Sequence, residues 1–328
     1  MITEDEFLER WRREEQSYAA WGRYVAHELR SAIASRVSPT KLEMFLKIPV
    51  QPRVKNTESL LQKAFHRKKD YPNPYEQIED KVGLRFVVLV EDDVRTIEEE
   101  VESGTGWTAQ KAKDFEEDRE QRPYEFDYQS LHYVLRSKDE FTFEGERILA
   151  DMPCEVQVRT LLQHAYSELT HDTIYKPSVT ATPALKRAAA KSMALIEATD
   201  GFFTEVSRTI GGMLAPDRAL TGFLAERYSQ FVGLEGVGGP LNKLLIDHYK
   251  HFAGDHFSRE LEMWLSHKPF LGRLIHGRAS SNSLYRVPAI LLIYYAVGNN
   301  PKMALQDSPL SDEELEPIYS DLGEAIHG

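Results

Sequence analysis

Phe7, Leu8, Trp11, Tyr18, Trp21, Val25, Leu29 and Ile33 fall on one helical stripe with charges between them, which predicts a long amphipathic helix over 1–36. A short apolar run, Met44 to Val50, reads as a strand ending at Pro52. Asn56-Thr57-Glu58-Ser59 reads as a helix start ahead of Leu60, Leu61 and Ala64. Tyr71-Pro72-Asn73-Pro74 predicts a turn. Leu84 to Val90 is apolar but for Arg85, the pattern of a central strand in a sheet covered on both faces. An acidic helix is predicted from about Asp92, and the charged stretch 104–127 predicts a long mobile loop. Alternation then returns. Tyr128 to Arg136 reads as a strand, Phe141–Ile148 and Cys154–Val158 supply two more, and a helix from about Thr160 to Tyr175 closes the region.

After Pro177 the pattern is helical throughout, with one long helix expected over 183–210 and breaks at Gly236–Gly239, Pro269 and Asn299–Pro301. The expected architecture is a mixed α/β domain over 1–180, a connecting helix over 181–214 and an all-helical region over 215–328.

Composition narrows the function. Among 328 residues, 52 acidic side chains exceed 40 basic ones, a net charge of −12 that argues against a general nucleic-acid coat protein. The single cysteine, Cys154, excludes a disulfide framework within the chain and any multi-cysteine metal site. The longest apolar run, Val287 to Val297, contains a proline and falls short of the roughly 20 residues of a membrane span. With an acidic start, Thr3-Glu4-Asp5-Glu6, where a secretory signal would be basic, the expectation is a soluble cytoplasmic protein.

Against that acidic background, several segments concentrate chemistry. Arg53 and Lys55 project from one side of an extended segment, and Ser59, Lys63 and Arg67 share a helical stripe, a cationic set suited to polyphosphate; a solvated basic face is the plainer alternative. Asp80 precedes Gly83 and the strand bearing Arg85, where a carboxylate can serve Mg²⁺ or simply a turn. Tyr128, Ser130 and His132 share a strand face, with a ring that can stack on a base. In Cys154 to Thr160, Glu155, Gln157 and Arg159 alternate with Cys154, Val156 and Val158, so one face carries a carboxylate, an amide and a guanidinium, as a lined cleft or a wetted face would. His164, Glu168 and His171 lack the His-Glu-x-x-His spacing and read as hydrogen-bonded helix residues rather than zinc ligands.

In order and spacing, Arg53-x-Lys55-x-x-x-Ser59-x-x-x-Lys63, Asp80-x-x-Gly83-x-Arg85, Tyr128-Gln129-Ser130-Leu131-His132 and Glu155-Val156-Gln157-Val158-Arg159-Thr160 resemble the synthetase domain of the RelA/SpoT family of alarmone synthetases, over roughly residues 40–176. The resemblance implies a nucleotidyltransferase-like mixed sheet and transfer of the β,γ-pyrophosphoryl group of ATP to a ribose 3′-hydroxyl, releasing AMP. By the same resemblance, Arg53, Lys55, Ser59, Lys63 and Arg85 hold ATP, and Asp80 and Glu155 are the catalytic carboxylates that coordinate Mg²⁺. Glu155 also takes the proton of the attacking hydroxyl. Tyr128, His132, Gln157 and Arg159 bind the acceptor.

The expected acceptor is GDP or GTP, giving (p)ppGpp. The sequence departs from the family where the acceptor is read: Pro123-Tyr124-Glu125-Phe126-Asp127-Tyr128 replaces a Pro-Lys-x-Asn-Gly-Tyr loop, and Ser167 stands where many members have alanine. These departures keep open an adenine nucleotide or the 3′ end of tRNA as acceptor, as in toxin-type relatives. Lys186, Arg187 and Lys191 share one predicted helix and could contact tRNA, with a solvated face as the plainer reading. A catalytically degenerate nucleotide sensor is the remaining alternative. Residues 215–328 carry no recognisable chemistry and could hold oligomer contacts, an inhibitory surface or a site for a regulatory partner.

Overall fold

The computed structural model describes residues 2–38, 40–66, 71–121, 126, 130–173 and 182–326. The chain divides into two compact units, Met1–Arg208 and Thr209–Gly328.

The first unit is built on a mixed sheet of five strands, β1 (Arg53–Val54), β2 (Val82–Val88), β3 (Trp107–Lys113), β4 (Leu131–Ser137) and β7 (Pro153–Thr160), in the order β1-β2-β7-β4-β3. β2 and β7 run parallel; the β1–β2, β4–β7 and β3–β4 pairs are antiparallel. One face carries Leu84, Phe86, Cys154, Val156, Val158, Leu131, Tyr133 and Leu135, all buried in one apolar core. Helices α1 (Glu4–Arg36) and α5 (Glu91–Ser103) bring Phe7, Trp11, Trp21, Leu29, Val94 and Ile97 into the same core. α1 begins at a reciprocal Thr3–Glu6 capping box with three acidic residues in its first turn, and the apolar stripe read from the sequence is its buried face.

Other expectations are corrected. The run 44–50 is not a strand: Leu42–Phe45 forms a short helix, α2, with Phe45 and Leu46 buried at its end. The stretch 104–127 is not one long loop. It contains β3 and a helix, α6 (Phe115–Gln121). β3 pairs only with β4 at the sheet edge, so Thr108 to Ala112 are exposed and read as polar. The strand is anchored by Trp107, whose Nε1 donates to the Val101 carbonyl at 2.8 Å, and α6 by the buried Phe115. Phe141–Ile148 forms a separate hairpin of β5 (Phe141–Phe143) and β6 (Glu146–Ile148). Glu144 and Gly145 both take positive φ in its turn, the conformation that tight two-residue hairpins favour.

α3 (Thr57–Leu61) starts at Asn56, whose side chain accepts from the Ser59 amide, and widens into a π turn over Gln62–His66. The short α4 (Pro74–Gln77) precedes β2, and α7 (Leu161–Thr173) follows β7. The long helix α8 runs Pro183–Val232 rather than stopping near 210, passing through Gly211, Gly212 and Pro216. Beyond Pro216, Leu220, Leu224, Tyr228 and Val232 recur every four residues and pack into the core of the second unit, which offsets the backbone bond a proline gives up.

The second unit adds α9 (Pro240–Tyr249), α10 (Phe257–Ser266), α11 (Phe270–Ala279), α12 (Ile290–Asn299), α13 (Pro301–Leu305) and α14 (Asp312–Leu322). α12 is the apolar run read from the sequence, buried from Ile290 to Val297. Among the described residues, no helix is long and apolar enough to cross a membrane.

Candidate active site

Strand alternation decides which side chains meet. In β7, Cys154, Val156 and Val158 enter the core, which turns Glu155, Gln157 and Arg159 to the opposite face. Register then sets their neighbours: Gly83 lies opposite Glu155 and Arg85 opposite Gln157 on the β2 side, and His132 opposite Gln157 on the β4 side. On β1, Arg53 pairs with Gly83. This polar face is the floor of a cleft of about 680 Å³, lined also by Ile48, Pro49, Gln51, Asn56 and Ser59 and by Ser167 and Thr170 of α7. Gly83 leaves the floor open beside Glu155. A side chain there would lie 3.9 Å from Glu155 Oε2, an ordinary contact, so the glycine supplies space rather than relieving a clash.

Two carboxylates anchor the cleft. Asp80 is engaged on both oxygens, by the Lys55 ammonium and by Lys63 Nζ at 2.8 Å. Burial pushes its carboxyl up, but the two lysine charges and their hydrogen bonds outweigh that and hold it below the usual carboxylate range. Glu155 accepts from Gln157 Nε2 at 2.9 Å, and its Oε1 lies 3.2 Å from His132 Nδ1. Burial raises Glu155 as well; hydrogen bonding and charge from His132 bring it below the ordinary value, while the negative charge of Asp80 works against them. Gln157 in turn accepts from Arg159, so an Arg159–Gln157–Glu155–His132 chain runs across two strands.

The cations outnumber the acids. Arg53, Lys55, Arg85 and Arg159 line the cleft and Lys63 reaches it through Asp80, against Asp80, Glu155 and Glu168. In a chain of net charge −12 this is a local field suited to an anion, with guanidinium forks and ammonium groups for phosphate oxygens.

The residues singled out in the sequence come together with few exceptions. Arg53, Lys55, Ser59, Asp80, Arg85, His132, Glu155, Gln157, Arg159 and Ser167 all line this cleft. Lys63 joins through its bond to Asp80, from the π turn rather than a regular helical stripe. Tyr128 lies outside the described residues. Ser130 is buried, its hydroxyl donating to the Val158 carbonyl at 3.4 Å, and does not line the cleft. Lys186, Arg187 and Lys191 are exposed on α8.

Sequence reasoning missed Gln51, Asn56 and Thr170 on the lining, and the ion pair of Arg85 Nη1 with Glu168 Oε1 at 2.9 Å. α7 borders the cleft with Ser167 and Thr170, and its Glu168 pairs with Arg85. His164 Nδ1 makes no hydrogen bond to the described residues but lies 3.7 Å from Glu168 Oε1 one turn on. Burial, then the charges of Arg159 and Arg85, lower its pKa and favour the neutral ring.

No group of three or more His, Cys, Asp or Glu side chains gathers among the described residues, so the metal question rests on the pair Asp80 and Glu155. The donor set fits Mg²⁺: two hard carboxylates whose charges repel across one cleft, beside cations that suit the phosphates completing its coordination.

Residues 52–180 match the family model described as the region found in RelA / SpoT proteins. Among solved structures, small alarmone synthetase 1 from Bacillus subtilis is similar at 20% identity and a TM-score of 0.50, over 62% of this chain and 99% of that one. The same synthetase bound to its product pppGpp matches at 18% identity and a TM-score of 0.49, over 62% and 99%. A GTP pyrophosphokinase family protein from Streptococcus pneumoniae matches at 19% identity and a TM-score of 0.47, over 63% and 98%. At these identities the likeness is one of fold. A comparison with curated proteins finds no match.

Proposed function

From the premise of a RelA/SpoT region at 52–180, we propose that this chain is an ATP-dependent pyrophosphokinase acting on the ribose 3′-hydroxyl of GDP or GTP. The observation that carries the proposal is the pair of carboxylates, Asp80 and Glu155, on one polar sheet face ringed by Arg53, Lys55, Lys63, Arg85 and Arg159. The acceptor 3′-oxygen attacks the β-phosphorus of ATP, the bond from that phosphorus to the α,β-bridging oxygen breaks, and AMP leaves. Glu155, ionised at neutral pH, receives the hydroxyl proton. Lys55, Lys63 and the arginines neutralise the phosphate oxygens, and the Gln157–Arg159 chain fixes the Glu155 carboxylate. Asp80 and Glu155 would hold Mg²⁺, which supplies charge neutralisation on the transferred phosphates.

On this reading His132, Gln157 and Arg159 of the cleft lining serve the acceptor, and Tyr128, outside the described residues, would stack on its base. A second reading keeps the chemistry and changes the acceptor to an adenine nucleotide or the 3′ end of tRNA. It is favoured by Ser167 on the cleft lining and by the loop 123–128, which lacks the lysine, asparagine and glycine of the family pattern. Both readings separate from a nucleotide sensor in one variant. Glu155→Gln is expected to lose AMP formation while still binding the non-hydrolysable donor analogue AMPCPP; AMP formation at the wild-type rate would remove Glu155 from the mechanism.

A further inference from the structure

Both oxygens of Asp80 are engaged by ammonium groups. Lys55 takes one and Lys63 the other, and all three side chains are largely withdrawn from solvent, with 20 to 27% of each side chain exposed. Lys55 is placed by a backbone bond from its own amide to the Lys81 carbonyl, which ties β1 to the segment carrying Asp80. Lys63 comes from the π turn after α3, so two separate elements converge on one carboxylate.

We propose that Lys55 and Lys63 act as a displaceable lock on Asp80, so that the metal position is closed in the free protein and opens when donor phosphates draw the lysines away. This rests on the donor and metal assignment made above and adds to it an order of assembly. The charge balance favours the exchange. With no nucleotide bound, two ammonium groups stabilise one carboxylate and leave a divalent cation facing two positive charges at short range. With a triphosphate in the cleft, the ammonium groups find phosphate oxygens of higher charge, and Asp80 is released toward the cation that those phosphates also bind. Binding of metal and of donor then reinforce each other, and by linkage the gain is equal whichever binds first. Glu155 is engaged on both oxygens as well, by Gln157 Nε2 and His132 Nδ1, but by no lysine, so the lock is confined to Asp80.

The test is Mn²⁺ binding to the nucleotide-free protein, followed by electron paramagnetic resonance, in the wild type, Lys55→Met, Lys63→Met and the double variant. Methionine keeps the length and removes the charge, and circular dichroism checks folding of each. Each lysine removed is expected to tighten Mn²⁺ binding on the order of tenfold. Adding Asp80→Asn to the double variant is expected to abolish that gain. Equal Mn²⁺ affinity in the wild type and both single variants, or a gain that survives Asp80→Asn, would overturn the lock. Should the double variant not fold, the two single variants decide the question. AMPCPP binding to the wild type with Mg²⁺ present separates the two levels: its absence fails the donor assignment itself, whereas its presence with unchanged Mn²⁺ affinities fails only the lock.

Discussion

Replacing Asp200 by asparagine should stabilise the first unit at neutral pH and lose that advantage in mild acid. Asp200 lies on α8, fully buried, where the Thr160 hydroxyl donates to Oδ2 at 2.7 Å. Its Oδ1 has no hydrogen-bond partner among the described residues. Burial pushes the carboxyl from an ordinary 3.8 up to about 6; the Thr160 bond and Arg119 oppose this, and Glu91 adds to it. The difference, 6 − 3.8, is about 2.2 pH units, or about 3 kcal/mol at 1.36 kcal/mol per unit. The sign follows from proton counting. Between pH 4 and 6 the folded protein holds a proton that the unfolded chain has released, so stability contributed here falls as pH rises through that window, and above about pH 7 the full cost is present.

Asparagine keeps an acceptor for Thr160 and carries no charge. Its amide also places a buried donor where Oδ1 stands, at a cost of about 1 kcal/mol or more. A net gain of about 1–2 kcal/mol is therefore expected at pH 7.5, falling to zero or below at pH 4.5. Urea unfolding followed by tryptophan fluorescence at both pH values checks it, and differences between variant and wild type cancel the titration of every other group. A pH-independent difference between the two proteins would refute the reasoning. The consequence reaches the cleft, because Thr160 follows Arg159 on β7 and also caps α7 by accepting from the Gln163 amide at 3.2 Å.

Two further outcomes are expected. Reversing Lys186, Arg187 and Lys191 to glutamate should leave transfer to free nucleotides unchanged and, where tRNA is accepted, should abolish its modification; undiminished tRNA modification, measured by transfer of labelled pyrophosphate, removes these residues from acceptor binding. Gly22→Ala should destabilise the first unit by about 1–3 kcal/mol and weaken AMPCPP binding, since the added methyl would lie 2.7 Å from Val82 Cγ2 and 3.0 Å from Pro52 Cβ, at the base of the β1–β2 pair; calorimetric binding and urea unfolding read the two effects.

What could be read in the sequence was what period and local order encode. The 84–90 run declared a buried strand because nearly every position is apolar, though the strand runs Val82–Val88 and Leu89 beyond it is exposed; Glu155, Gln157 and Arg159 declared a polar face because strand side chains alternate. The cluster Arg53, Lys55, Ser59 and Lys63 was legible from spacing within one short segment, although the π turn that carries Lys63 was not. Edge strand β3 was hidden because only Trp107 of its residues is buried. Contacts across the chain left no local trace: Arg85 meets Glu168 over 83 residues, and Thr160 meets Asp200 over 40. The long helix was expected over 183–210, but α8 continues through Pro216 because Leu224, Tyr228 and Val232 beyond it pack into an apolar core that outweighs the local cost.

The central claim is tested most directly by AMP release from ATP and Mg²⁺, with GDP, GTP, ADP, ATP and deacylated tRNA each offered as acceptor. The account predicts AMP in equal amount to a 3′-pyrophosphorylated product, with GDP or GTP as the preferred acceptor and no AMP from Glu155→Gln. ADP and inorganic phosphate in place of AMP, or no AMP with any acceptor from folded protein that binds AMPCPP, would contradict it.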